Sequence, residues 1–180
     1  MLIKPALSGI NPGDFSQLSP AEQIDYLRCQ DARQKTRLLI DAPNGSELMA
    51  KLPTQEVYLL AVEHGPEHLP ELLSLASPEQ WSGFIDLDCW NGDQFDVAKT
   101  HRWLISLLQG EEETVFTVLR EMNFEQLVLI FKSELDILSG PEADENSDAR
   151  IDAIKRDGGY EISYHSENSA KMFGRILDIL

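Results

Sequence analysis

The feature that most constrains this chain is its punctuation, because helix starts recur along it at short intervals. Ser19-Pro20-Ala21-Glu22 places a capping serine, a proline at the first helical position and a glutamate at the third. Ser77-Pro78-Glu79-Gln80 repeats the arrangement with glutamine. The serine oxygen can accept from an otherwise orphaned N–H of the first turn, while the acid or amide reaches back. Proline is at home there because its missing N–H would have had no helical partner. Pro53-Thr54 and Met122-Asn123 are weaker openings. The stops are Pro43-Asn44-Gly45, His64-Gly65-Pro66, Asn91-Gly92 and Gly140-Pro141.

Between these marks the apolar period is helical. Ile24 and Leu27, then Leu38 and Leu39, serve a first pair of helices; Val57, Leu60 and Ala61 form a third face, and Leu69, Leu72, Leu73 and Leu75 a fourth. Phe84, Ile85 and Leu87 follow. Val97, His101, Leu104, Ile105 and Leu108 run at i, i+4, i+7, i+8, and Val115, Val118, Leu119 and Met122 repeat the stripe. The latter begins at Glu111-Glu112-Glu113, three acids where a helix N-terminus favours negative charge. Phe124 to Leu138 is apolar around most of its circumference and reads as a central buried helix. The expected architecture is mainly all-α: an irregular, α-solenoid-like stack of helical hairpins over residues 1–139, about two thirds helical in all.

Residues 140–150 form an acidic linker, and the pattern changes beyond it. Tyr160, Ile162 and Tyr164 alternate with polar residues, which predicts one short C-terminal β segment, and Ser166 can cap a final helix carrying Phe173, Ile176, Leu177 and Leu180. Residues 151–180 thus read as a strand-plus-helix appendage, the start of a second region cut short. A lone strand leaves a row of backbone groups unpaired, and Ile176 to Leu180 ends without a polar stop. Self-association through residues 158–180 is therefore expected. Trp90, among acids and beside Asn91-Gly92, is expected to be buried as the anchor of that turn.

Charge narrows the function classes. Asp and Glu number 31 against 15 Lys and Arg, a formal charge of -16. Such a surface repels phosphate backbones and anionic headgroups, so nucleic acid and membrane are poor partners. No apolar run approaches the ~20 residues a membrane helix needs. Cys29 and Cys89 are isolated, the N-terminus carries no signal-peptide pattern, and a cytoplasmic setting is expected.

Three stretches carry a family resemblance: Leu52-Pro53-Thr54-Gln55-Glu56-Val57-Tyr58-Leu59-Leu60, Leu75-Ala76-Ser77-Pro78-Glu79-Gln80-Trp81 and Asp86-Leu87-Asp88-Cys89-Trp90-Asn91-Gly92-Asp93. They resemble a bacterial family classed only as a domain of unknown function, whose members are longer. The likeness is densest over residues 40–110 and implies no activity. The Leu-Pro-x-x-Glu and Ser-Pro-Glu openings also resemble the cytosolic N-terminal helical domain of magnesium transporters.

Candidate chemistry is sparse. His64 and His68 are four apart, but Gly65-Pro66 breaks the helix that would align them, so they read as surface loop histidines. Asp86, Asp88, Asn91, Asp93 and Asp96 crowd one turn. Counted as an EF-hand loop from Asp86 they place Trp90 fifth and Val97 twelfth, where ligands are needed, so caps and turn formers explain them better. Asp144-x-Asn146-x-Asp148 comes nearer, yet Ala149 replaces the bend glycine and Lys155 stands where a carboxylate must close the site. Arg28, Arg33, Lys35 and Arg37 form the one basic segment. Arg33 and Arg37 share a helix face, either solvated or a dock for an acidic surface. His101 on its apolar stripe reads as a core histidine. No Gly-x-Ser-x-Gly elbow, phosphate-cradling glycine loop or His-Glu-x-x-His occurs, and no catalytic residue, metal site or cofactor is assigned. The leading expectation is a helical scaffold that binds a protein or another part of its own chain. A divalent-cation-sensing domain is the alternative, and an unrecognised hydrolase comes last.

Overall fold

A capping glutamine shows how local signals become tertiary structure. The Ser77 N–H donates to Gln80 Oε1 at 3.0 Å and the Gln80 N–H donates back to Ser77 Oγ at 3.3 Å, so the expected capping box forms. The same side chain, buried, turns its Nε2 outward and donates to the carbonyls of Met49 at 2.9 Å and Leu52 at 3.1 Å. One residue thus starts one helix and ties down the end of another. Gln80→Ala is expected to cost about 2–3 kcal/mol, since buried polar groups are left short of partners. Urea unfolding measures it; a loss near zero would mean that water replaces these bonds.

The computed structural model describes residues 12–139, 154–156 and 160–180. The order is α1 (Pro12–Phe15), α2 (Pro20–Arg28), α3 (Ala32–Asp41), α4 (Gly45–Ala50), α5 (Thr54–His64), a 3-10 turn (Pro66–His68), α6 (Pro70–Leu73) and α7 (Pro78–Asp88). Then come β1 (Trp90–Asn91), β2 (Gln94–Phe95), α8 (Val97–Leu108), α9 (Glu112–Glu121), α10 (Phe124–Glu134), β3 (Leu135–Ser139), β4 (Ile154–Arg156), β5 (Tyr160–Tyr164) and α11 (Glu167–Ile179). The fold is mainly helical, at 70% helix. Asp31 caps α3 and Asp96 caps α8 through their carboxylates, as polar residues before apolar stripes should. Helix α7 packs against α5, α8 and α9, and its buried Trp81, Phe84 and Ile85 lie at the middle of the core.

The β content exceeds the one segment expected. β3, β5 and β4 form an antiparallel sheet in that order, with Leu135 opposite Tyr164, and Ile162 of the central strand opposite both Ile137 and Ile154. Tyr160–Tyr164 is therefore not a lone strand; it pairs within its own chain, which removes the physical motive for expecting residues 158–180 to seek a second copy. The mates come from the stretch read as a buried helix. That helix stops at Glu134, and Leu135 turns to extended backbone (φ -149°, ψ 154°). Continuing as helix would leave one side of β5 unpaired, and strand pairing satisfies both segments. Within α10 only Gln126, Ile130 and Glu134 are buried, a narrow inward stripe four residues apart. Leu127-Val128-Leu129-Ile130-Phe131 is thus not a central buried run.

Trp90 also departs from expectation. It is half-buried on a two-strand ribbon, paired with Phe95 at 5.2 Å between ring centroids across a turn where Gly92 has φ 67°. The core positions belong to Trp81 and Trp103. Phe95 meets the half-buried indole edge-on, at an interplanar angle of 68°, and truncating Trp90 costs less than truncating a fully buried indole.

Candidate functional site

Two carboxylates, one half-buried and one buried, organise the polar chemistry of the described residues. The first is Asp88, at the end of α7. Trp103 Nε1–H donates to its Oδ2 at 3.0 Å, the Tyr58 hydroxyl to Oδ1 at 3.3 Å, and Lys99 Nζ lies 3.3 Å from Oδ1 while donating to the Asp88 carbonyl at 3.0 Å. The rings above it are stacked: Phe84 on Trp103 at 5.0 Å, Tyr58 on Trp103 at 6.1 Å, with Trp81 edge-on at 6.2 Å. Burial, then the neighbouring Asp88 charge, push the Tyr58 phenol above its ordinary range, and the hydrogen bond to Asp88 holds the Lys99 ammonium above its own. Burial pushes the adjacent Cys89 thiol up to about 11, so it is a packed thiol and not a thiolate nucleophile.

This arrangement disperses the carboxylates of the acidic turn among separate partners. Asp86 accepts from Gln126 Nε2 on α10, Asp88 is spent on its three donors, and Asp96 caps α8. Among the described residues no group of three or more His, Cys, Asp or Glu is placed to hold a metal ion. The second cation candidate, Asp144 to Lys155, lies largely outside the described residues. His64 and His68 are both exposed.

The second carboxylate is Glu134, at the junction of α10 and β3. Ser169 Oγ donates to its Oε2 at 2.6 Å, and His101 Nε2 approaches Oε1 to 2.9 Å, a charge contact not aligned as a hydrogen bond. Ser166 Oγ caps α11 by accepting from the Ser169 N–H at 3.0 Å and lies 2.7 Å from Ser169 Oγ. The His165 N–H donates to the Glu134 carbonyl at 2.9 Å, and the His165 ring sits between the Ser133 carbonyl (2.9 Å) and Asp136 (3.2 Å). A serine, a carboxylate and a histidine in line invite comparison with a hydrolase relay. There the imidazole must stand between hydroxyl and carboxylate, to take the proton and be steadied by the charge. Here the carboxylate stands between the other two, and Ser169 is buried. The order suits a structural tie joining α8, α10 and α11, and His101 is a half-buried member of it. The tie was not legible in the sequence; its one signal is an acid, Glu134, between the apolar run 127–131 and the mainly apolar 135–138.

The basic segment is largely consumed internally. Lys35 is buried against Glu56, Arg28 pairs with Asp25 at 3.3 Å and Arg37 with Asp41 at 3.5 Å. Arg33 is exposed with no ion-pair partner among the described residues. One open cleft, between α6 and the start of α9, is lined by Glu71, Ser74, Gln109, Glu111 and Thr114; its negative charge disfavours anionic ligands.

The outward face of α10 is a different kind of feature. Phe124 is 77% exposed, and Val128, one turn on, and Leu129 beside it are exposed too. The helix is pinned by Gln126 to Ser82 and Asp86 of α7, so this face is held outward by the inward stripe.

The chain belongs to the Family of unknown function (DUF6178), whose match covers residues 12–180. No curated protein and no solved structure matches it.

Proposed function

We propose, with membership of a family without an assigned activity as the premise, that this chain is a helical docking module that binds another protein. The observation that carries the reading is Phe124, a large ring presented to solvent on a helix rigidly seated by its opposite face. Exposed aromatic residues flanked by aliphatic ones mark binding anchors, because burying them on a partner recovers apolar area that folding left unused. A convex helix face fits a partner that supplies an apolar pocket. Arg33 and Arg37 on α3 are a second, electrostatic contact for an acidic patch of a partner, weaker because Arg37 is already engaged by Asp41. A cytoplasmic setting is part of the same reading. Among the described residues no helix is long and apolar enough to cross a membrane.

The test compares proteins captured from native lysate by the wild-type chain and by Phe124→Asp. The variant should keep its stability to within about 0.5 kcal/mol, as an exposed substitution does, and lose the specifically captured species. Identical capture by both chains would remove Phe124 as the anchor. Loss with Arg33→Glu and not with Phe124→Asp would move the site to α3.

A further inference from the structure

We propose that the chain forms a two-fold dimer by pairing β3 with β3 of a second copy, on a surface separate from the α10 face. The sheet order β3-β5-β4 leaves two edges among the described residues, and they are unlike. The β4 edge is Ile154–Arg156, a strand of three residues, and a very short edge strand offers few groups for another strand to pair with. The β3 edge, Leu135-Asp136-Ile137-Leu138-Ser139, is longer and has no lysine, arginine or proline. An open edge presents main-chain N–H and C=O groups, so the occupant it fits is an extended strand.

A second copy of β3 fits by register. Antiparallel pairing centred on Ile137 sets Ile137 opposite Ile137, and Asp136 opposite Leu138, so the two carboxylates do not face one another. Asp136 also engages His165 of its own chain at 3.2 Å. Ile137 is 62% exposed, and Tyr160, on the same face of the sheet one strand in, is exposed as well. Pairing would align Ile162, Ile137, Ile137 and Ile162 as one apolar row across the junction, with each Tyr160 diagonal to it on the same face. The sheet would run β4-β5-β3-β3-β5-β4, closing the longer β3 edges and leaving the short β4 edges outside. Each copy carries a formal charge of -16, so repulsion opposes the contact at low salt and screening relieves it.

Sedimentation velocity of the full chain across the micromolar range, at low and high salt, tests this. The expected result is a concentration-dependent doubling of mass that strengthens with salt. Ile137→Lys should remain a monomer under all these conditions, with unchanged circular dichroism and thermal midpoint. Should that variant fail to fold, Ile137→Cys in a Cys29→Ser background replaces it. The two-fold contact brings these cysteines directly opposite each other, so mild oxidation should link most chains in pairs, whereas Lys132→Cys in the same background should not. A monomer at every concentration, a dimer that Ile137→Lys leaves intact, or an Ile137→Cys chain that stays unlinked would overturn the proposal. None of these results bears on Phe124, whose test uses other proteins.

Discussion

Trp103→Ala is expected to cost about 5 kcal/mol, the upper end for removing a buried indole. Trp103 is fully buried, and three rings pack on it. Its truncation leaves a cavity bounded by Tyr58, Trp81 and Phe84, and it strips Asp88 of its shortest side-chain donor. A domain of this size is stable by roughly 5–15 kcal/mol, so the variant should be barely folded at room temperature. Two controls separate packing from hydrogen bonding. Trp103→Phe keeps most of the stacking and loses the bond to Asp88, for about 1–2 kcal/mol beyond the small volume change. Trp81→Phe removes an indole N–H that has no partner among the described residues, so its loss should come from volume alone. Guanidinium unfolding of the three variants measures this. Equal losses for the two phenylalanine variants would show that Asp88 does not depend on the indole donor.

The second large effect is at Glu134. Glu134→Ala should cost about 3 kcal/mol, because a buried Ser169 hydroxyl and the His101 ring lose their common partner. The loss should be uneven. Glu134 ties α10 to the start of α11, while α7 and α8 are held independently through Asp88. Hydrogen exchange should therefore rise most over residues 160–180 and least around Trp81 and Trp103. Glu134→Gln keeps an acceptor for Ser169 and should recover more than half of the loss. A uniform rise in exchange, with α11 no more affected than α7, would mean that the tie does not hold the C-terminal segment in place.

These two sites divide along the line between what could and could not be read from residues in order. Ser19, Asp31, Ser77, Asp96 and Ser166 act within three residues of themselves, so their roles as helix openings follow from short-range chemistry. The stripes of α2, α3, α5 and α9 were equally legible, since a 3.6-residue period needs one dominant buried side and each has one. On α8 the buried side runs instead through Thr100, Trp103, Leu104, Leu107 and Leu108, and Ile105 of the expected stripe is exposed. Gln80 was legible by half: its capping oxygen is local, whereas its bonds to Met49 and Leu52 cross about thirty residues.

Elsewhere the outcome turned on partners far along the chain. Trp81, Trp103 and Trp90 are all indoles, and only packing decided that the first two fill the core while the third rests on Phe95. Glu134 became a tie because Ser169 and His101 arrive from either side of it. Phe124 to Leu138 is the sharpest case. Its composition suits a buried helix or a buried strand, and it becomes a helix and then a strand, changing at Leu135 where Tyr164 arrives to pair. The sequence by itself determined where helices begin, which sides of most of them turn inward, and a surface charge hostile to phosphate. The tertiary structure alone decided which tryptophans are core, which acid is buried and which face of α10 is left in water, because each depends on packing against other elements of the fold, and that information is not local.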